Sequence, residues 1–146
     1  MILLILRDRR MTALSDDEMS LFQNLRGLSP GQFRRLMKLG KWQRLDEERA
    51  LTQEDHALDK LYYVLHGDVE VNKSGRTIKV DPAVFIGELA YLRQKPATAT
   101  VTARAGSVLV SWAHDDLRRA CEKDGDLKQS LLVLLNSDLA EKVARA

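Results

Sequence analysis

The spacing of apolar residues changes twice along the chain, and each change indicates a different kind of secondary structure. Between residues 15 and 40, apolar residues recur every three or four positions, which is the period of an amphipathic helix. Between residues 41 and 113, they alternate with polar residues or form short runs, as in β-strands. From residue 115 onward the helical period returns. The predicted order is therefore helices, strands and helices.

Two short helices are predicted before the strands. Ser15 is followed three positions later by Glu18, which is the spacing of a capping box, and an apolar stripe comes next. Ser29 and Pro30 open a second helix in the same way, because serine caps well and proline is tolerated in the first turn. Gly40 is expected to end this second helix.

The central segment predicts about eight short strands, separated by turn residues. Leu61–Leu65 is a continuous apolar run, and the residues that follow alternate between apolar and polar. Further strands are expected at Thr77–Val80, Thr98–Ala103 and Val108–Trp112. Short strands at close, regular intervals favour an antiparallel roll or barrel. We therefore predict an α+β fold that is mainly β: an antiparallel double-stranded β-roll (jelly roll), flanked by N-terminal and C-terminal helices.

Two more helices are predicted after the strands. Asp115 or Asp116 is expected to cap the first, and the segment from Asp124 to Asp126 opens the second. The second carries an apolar stripe that would also suit a homodimer formed through the C-terminal helices. The members of this stripe are Leu127, Leu131, Leu134, Leu135, Leu139 and Val143.

Residues 1–14 differ from the rest of the chain. Met1–Leu6 is wholly apolar, and three arginines follow within the next four residues. Six apolar residues are too few to span a bilayer, which takes about 20. Two interpretations stay open: a terminal segment that packs on the domain, or the end of a transmembrane helix whose arginines mark the cytoplasmic side. Residues 15–146 are predicted to form one domain.

Composition narrows the classes of function. The 23 Lys and Arg residues nearly balance the 21 Asp and Glu residues, so a net charge of +2 does not favour binding to nucleic acid. The three histidines lack the spacing of zinc ligands, and Cys121 has no second cysteine to pair with. Ser74 and Ser107 lie in predicted turns without a partnered base. We therefore predict neither a metal site nor an enzyme.

The candidate binding segment runs from Phe85 to Val101, between two predicted strands. Gly87 and Glu88 start a short helix there, and main-chain N–H groups at such a turn attract an anion such as phosphate. The Glu88 carboxylate suits a ribose hydroxyl, and small residues at Ala97 and Ala99 let a ligand approach the backbone. A Gly-Glu pair that opens a surface helix is more often structural than functional, so both interpretations stay open on the residues alone.

The same segment resembles the cyclic-nucleotide-binding domain family. That family's cassette reads F-G-E-L-A-L-L, a short spacer, then P-R-A-A-T-V; this chain has IGELAYL at Ile86–Leu92 and PATATV at Pro96–Val101. Leu61–Val71 is similar to the family's Y-x-I-x-x-G-x-V-x-V strand pair. The resemblance, which covers about Leu21 to Val143, implies a non-enzymatic regulatory or sensor domain that takes cAMP or cGMP. The ligand-binding residues that it implies are Gly87, Glu88, Leu89, Ala90, Ala97 and Thr98.

One position departs from the family's cassette. Nucleotide-binding members carry an arginine that pairs with the cyclic phosphate, and this chain has Ala97 at that position. A charge-assisted hydrogen bond contributes about 1.5–3 kcal/mol, so its loss weakens binding roughly 10- to 150-fold. Arg93 or Lys95 is the candidate replacement, unless both are solvated loop charges. The last helix is expected to be too short to close over a nucleotide base.

The flanks are similar to one branch of the family, the Popeye domains, whose members follow transmembrane helices on the cytoplasmic side. The similar segments are Leu21–Arg26, Val110–Trp112 and Asn136–Val143. This resemblance implies a cytoplasmic location, at the cytoplasmic face of a membrane. Two functions stay open. One is a sensor that binds cyclic nucleotide, and the other is a degenerate domain that serves as a protein-interaction or membrane-associated scaffold without binding one.

Overall fold

The computed structural model describes residues 16–145 of the chain, and side chains as far as Lys142. The predicted cap at Ser15 and the apolar, basic segment 1–14 lie outside the described residues. Within residues 16–145, no helix has both the length and the apolar character needed to cross a bilayer.

Among the described residues, two helices precede the strands, as the sequence predicts. Helix α1 covers residues 16–24 and α2 spans Pro30–Leu39. The hydroxyl of Ser29 accepts a hydrogen bond from the main-chain N–H of Gln32 at 3.2 Å, and the Gln32 side chain accepts one from the Ser29 N–H at 2.9 Å. The predicted cap of this helix is therefore confirmed, and it satisfies two main-chain donors that have no partner inside the helix.

Within residues 16–145, eight antiparallel strands form two four-stranded sheets, which confirms the predicted roll. The strands are β1 Lys41–Arg44, β2 Arg49–Thr52, β3 Lys60–His66, β4 Val69–Lys73, β5 Arg76–Val80, β6 Val84–Ile86, β7 Thr100–Ala103 and β8 Val108–Ala113. The first sheet has the order β1-β8-β3-β6 and the second has the order β2-β7-β4-β5. The strand expected to begin at Thr98 begins two residues later, and the three-residue strand β6 was not among the expected ones.

Three helices lie after β6. Helix α3, Glu88–Arg93, connects β6 to β7, and helices α4, His114–Lys123, and α5, Gly125–Arg145, follow β8. The predicted opening of α5 is confirmed, because the carboxylate of Asp124 accepts a hydrogen bond from the N–H of Leu127 at 3.1 Å.

The predicted cap of α4 is wrong. The residue before the helix is Ala113, which provides no side-chain hydrogen bond, and the helix already begins at His114. The N–H of His114 donates to the carbonyl of Asp59 at 2.8 Å, so the pairing between β3 and β8 continues up to the start of the helix. Asp115 and Asp116 lie inside the first turn, where their negative charges interact favourably with the helix dipole.

Alternate residues of β3 contribute to two separate cores. Leu61, Tyr63 and Leu65 face a core shared with the helices, whereas Val64 faces the core between the two sheets. The stripe of α5 packs into the helical core through four leucines: Leu127, Leu131, Leu134 and Leu135. These leucines therefore stabilise the fold of the chain itself, and the homodimer through the C-terminal helices stays a prediction that they do not support.

Candidate functional site

A cavity of about 540 Å³ lies between the second sheet, α3 and the last turns of α5. Its volume falls in the range of sites for small molecules, about 300–1,000 Å³. All the residues predicted to bind a ligand line it: Gly87, Glu88, Leu89, Ala90, Ala97 and Thr98. Residues that lie ten positions apart in the sequence are therefore brought to one cavity.

The turn that opens α3 requires a glycine. Gly87 has a φ of +89°, in the left-handed region that side chains disfavour. A Cβ atom on this residue would lie 2.7 Å from Cδ2 of Leu58 and 3.4 Å from the carbonyl oxygen of Lys60. The absence of a side chain thus lets the chain turn sharply out of β6 and start α3 beside β3.

The segment that carries Ala97 is fixed by its main chain. The Ala97 N–H donates to the carbonyl of His56 at 2.9 Å, and the Ala97 carbonyl accepts from the N–H of Asp55 at 2.8 Å. The methyl group of Ala97 faces the cavity where the family's cassette carries a cation. Arg93 and Lys95 are exposed and neither lines the cavity, so the structure does not place the predicted replacement there.

Glu88 is engaged by a lysine from the other end of the chain. Its side chain is buried, and Nζ of Lys142 lies 2.8 Å from Oε1 and 2.7 Å from Oε2. The same ammonium group donates to the carbonyl of Phe85 and lies 3.1 Å from Oδ2 of Asp138. We call these four residues the Lys142 cluster.

Burial raises the pKa of Glu88 to about 8, and the neighbouring Asp138 side chain adds to this effect. The charge of Lys142 acts in the opposite direction, because it favours the ionised carboxylate. One ammonium group cannot neutralise two carboxylates at once. Glu88 therefore keeps its proton to a higher pH than an exposed glutamate does.

Acidic groups outnumber basic ones in the lining of the cavity. Two lysines, Lys79 and Lys142, and four acids, Asp81, Glu88, Asp138 and Glu141, line it. Even with Glu88 protonated, the three other acids outnumber the two lysines, and an excess of negative charge opposes the binding of an anion. Together with the methyl group at Ala97, this charge balance favours weak rather than tight binding of a cyclic phosphate.

Helix α5 reaches the cavity, contrary to the expectation that the last helix is too short to close over it. It runs from Gly125 to Arg145, and Asp138, Leu139, Glu141 and Lys142 line the cavity. Sequence reasoning missed Asp138 and Lys142. Their spacing of four residues does indicate that they share one face of a helix. The partner of that face is set by tertiary packing, which no local pattern indicates.

His114 and its neighbours form another buried polar group, which lies outside this cavity. His114 is buried, and its ring meets that of Tyr91 edge-on with the centroids 5.2 Å apart. Burial lowers the pKa of His114 and raises that of the Cys121 thiol, so both favour their neutral forms. A neutral, buried thiol is a poor nucleophile. In the part of the chain that the structure describes, no three His, Cys, Asp or Glu side chains gather into a metal site.

The fold and the site define a β-roll domain with a cavity beside its α3 cassette, and comparison with known sequences identifies the family. The profile of the cyclic nucleotide-binding domain matches residues 42–124, more than half of the chain. The chain therefore belongs to the cyclic nucleotide-binding domain family, whose members are typical of regulatory and sensor proteins. No curated protein matches its sequence.

Solved structures agree on the fold. A cyclic nucleotide-binding domain from Methylobacillus flagellatus KT has a TM-score of 0.79 at 18% identity, over 88% of this chain and 79% of the other. The N-terminal domain of a transcriptional regulator from Streptomyces coelicolor A3(2) has a TM-score of 0.65 at 27% identity, over 86% and 90%. The cAMP-bound PfPKA-R fragment 141–441 has a TM-score of 0.64 at 18% identity, over 88% and 46%.

Proposed function

We propose that this chain is a non-enzymatic sensor or regulatory domain that binds a cyclic nucleotide weakly in the cavity beside α3. One observation carries the proposal: in a chain of this family, the six residues predicted to bind the ligand all line one cavity of nucleotide-compatible volume. The similarity in fold to a cAMP-bound protein supports the same ligand class.

In this proposal the cyclic phosphate lies against the turn at Gly87–Ala90, with the hydroxyl of Thr98 close by. The ribose is bound through Glu88, whose carboxylate accepts a hydrogen bond from a hydroxyl group. The small side chains of Ala97 and Ala99, which are almost fully buried, leave room for the ligand against the main chain. The apolar part of the lining, from β4 to β5 and α5, is available to the base.

A second function is favoured by a specific observation. Both oxygens of Glu88 are already within hydrogen-bond distance of Lys142, and Ala97 contributes no cation. Such a site suits a degenerate domain that acts as a protein-interaction or membrane-associated scaffold and binds no cyclic nucleotide. A Popeye-like membership of the chain, and a location at the cytoplasmic face of a membrane, are finer hypotheses that rest on the flanking sequence similarity alone.

Calorimetric titration with cAMP and with cGMP separates the two functions. The unmodified chain is compared with Ala97→Arg, which restores the family's cation, and with Ala105→Arg, which adds the same charge in an exposed turn. The sensor proposal expects weak binding that improves roughly 10- to 150-fold in Ala97→Arg, as for one recovered charge-assisted hydrogen bond, and stays unchanged in Ala105→Arg.

Each of two results would refute one of the two proposed functions. No binding by any variant, with each shown by circular dichroism to be folded, refutes the sensor and leaves the scaffold. Binding of the unmodified chain at micromolar concentration refutes the scaffold, because a degenerate site has no reason to keep that affinity.

A further inference from the structure

We propose that Lys142 is an internal competitor for the ligand site. Without ligand it holds the last turns of α5 against Glu88, and a ligand that uses Glu88 releases that end of the helix. The inference deepens the proposed function and rests on it for the identity of the ligand. It assigns a regulatory role to a residue 54 positions away from Glu88 in the sequence.

The hydrogen bonds of the Lys142 cluster account for this competition. A lysine ammonium has three donors, and here they reach the two carboxylate oxygens of Glu88 and the carbonyl of Phe85, while Asp138 Oδ2 lies 3.1 Å away as an ion-pair neighbour. Glu88 is only 4% exposed, with Lys142 against both of its oxygens. A ribose hydroxyl that approaches this carboxylate therefore competes with Lys142 for its oxygens.

Helix α5 is fixed differently at its two ends. Its first half is held by leucines that pack in the helical core, among them Leu127 and Leu135, each 0% exposed. Around Lys142 the helix is partly exposed, and the ion pair with Glu88 connects it to the cassette. The contact between Lys142 and Glu88 can thus break while the buried leucines keep the first half of the helix in place.

The size of the effect follows from a simple equilibrium. If the contact is closed nine times out of ten, only about a tenth of the molecules can bind, and the apparent affinity falls about tenfold. Removal of the ammonium group should therefore raise the affinity about tenfold. A lysine that instead contacted the phosphate directly would give the opposite result when removed.

The test compares Lys142→Met with Lys128→Met, a matched change at an exposed position in the first half of the same helix. Both are made in the full chain and in the Ala97→Arg variant, for which the proposed function expects the highest cAMP and cGMP affinities. The measurements are calorimetric affinity and amide hydrogen exchange in peptides covering residues 136–145. We expect Lys142→Met to bind about tenfold more tightly and to exchange faster without ligand, and Lys128→Met to do neither.

The added ligand should also speed exchange of the same peptides in the Ala97→Arg variant. Unchanged or weaker affinity of Lys142→Met, or slower exchange on addition of ligand, overturns the inference. If no variant binds either nucleotide, the proposed function fails. Hydrogen exchange without ligand then tests whether Lys142 holds the end of α5. Faster exchange in Lys142→Met than in Lys128→Met supports this role, and equal exchange in the two variants overturns it.

Discussion

The substitution Gly87→Ala tests whether the turn that opens α3 depends on the missing side chain. The positive φ of this residue costs an alanine about 1–2 kcal/mol. The new methyl group would lie 2.7 Å from Cδ2 of Leu58, and crowding of this kind costs about 1–3 kcal/mol. The lower entropy of the unfolded alanine chain returns about 0.4–1 kcal/mol. We expect a net loss of about 2–3 kcal/mol in the free energy of unfolding.

Gly75→Ala is the matched control for this prediction. Gly75 also has a positive φ, +83°, but a Cβ there would meet no atom within 4 Å. Only the conformational cost remains, so we expect a loss of about 1 kcal/mol or less. Urea unfolding followed by the fluorescence of the two tryptophans measures both variants under the same conditions.

The difference between the two variants is the informative quantity. If Gly87→Ala is no less stable than Gly75→Ala, then the contact with Leu58 is not what constrains the turn, and the reasoning fails. The proposed function adds an expectation: Gly87→Ala weakens cAMP binding by Ala97→Arg, because the main chain beside the ligand shifts, whereas Gly75→Ala leaves it unchanged.

Two further predictions concern buried polar groups. The pKa of Glu88 is about 8 in the folded chain against 4.5 as a reference, so between these values the folded state binds more protons than the unfolded state. Stability is therefore greatest on the acid side of this window and falls as the pH rises through it, by at most about 1.4 kcal/mol per pH unit. Urea unfolding across the window should show this fall in the unmodified chain and in Glu122→Gln, and not in Glu88→Gln; an equal slope in all three contradicts it. Separately, Trp112→Phe removes the hydrogen bond that the indole N–H donates to a carbonyl in α2 at 2.8 Å, and should destabilise by about 2–4 kcal/mol. The indole N–H of Trp42 has no partner among the described residues, so Trp42→Phe should lower the free energy of unfolding by less. Equal losses of stability in the two variants, measured by thermal unfolding, would refute the role of the hydrogen bond.

Features that depend on residues close together in the sequence could be predicted. The cap at Ser29 was expected, because its partner Gln32 lies within one helical turn and a local pattern is enough to indicate such a cap. The cassette from Gly87 to Ala90 was found in the same way, through a contiguous pattern. The resemblance then supplied the rest of the roll, since few topologies accommodate that pattern between short strands.

Features that depend on distant partners were missed. The Lys142–Glu88 contact joins residues 54 positions apart, and nothing beside either residue indicates the other. Asp115 and Asp116 do carry a local capping signal, but pairing of the His114 N–H with Asp59 extends the sheet past the point where that signal would act. Tertiary hydrogen bonds thus override a local preference here, as they commonly do.

The division of β3 between two cores restricts how this strand can change. Insertion or deletion of one residue would send each later side chain to the opposite face of the sheet, exchanging leucine and tyrosine sites beside the helices with the valine site between the sheets. Both cores would then be mispacked by a single event, because Leu61, Tyr63 and Leu65 belong to one core and Val64 to the other. We therefore expect length variation to be confined to the turns around Gly75 and Gly106, where added residues shift no register, and β3 to tolerate only exchanges of similar volume.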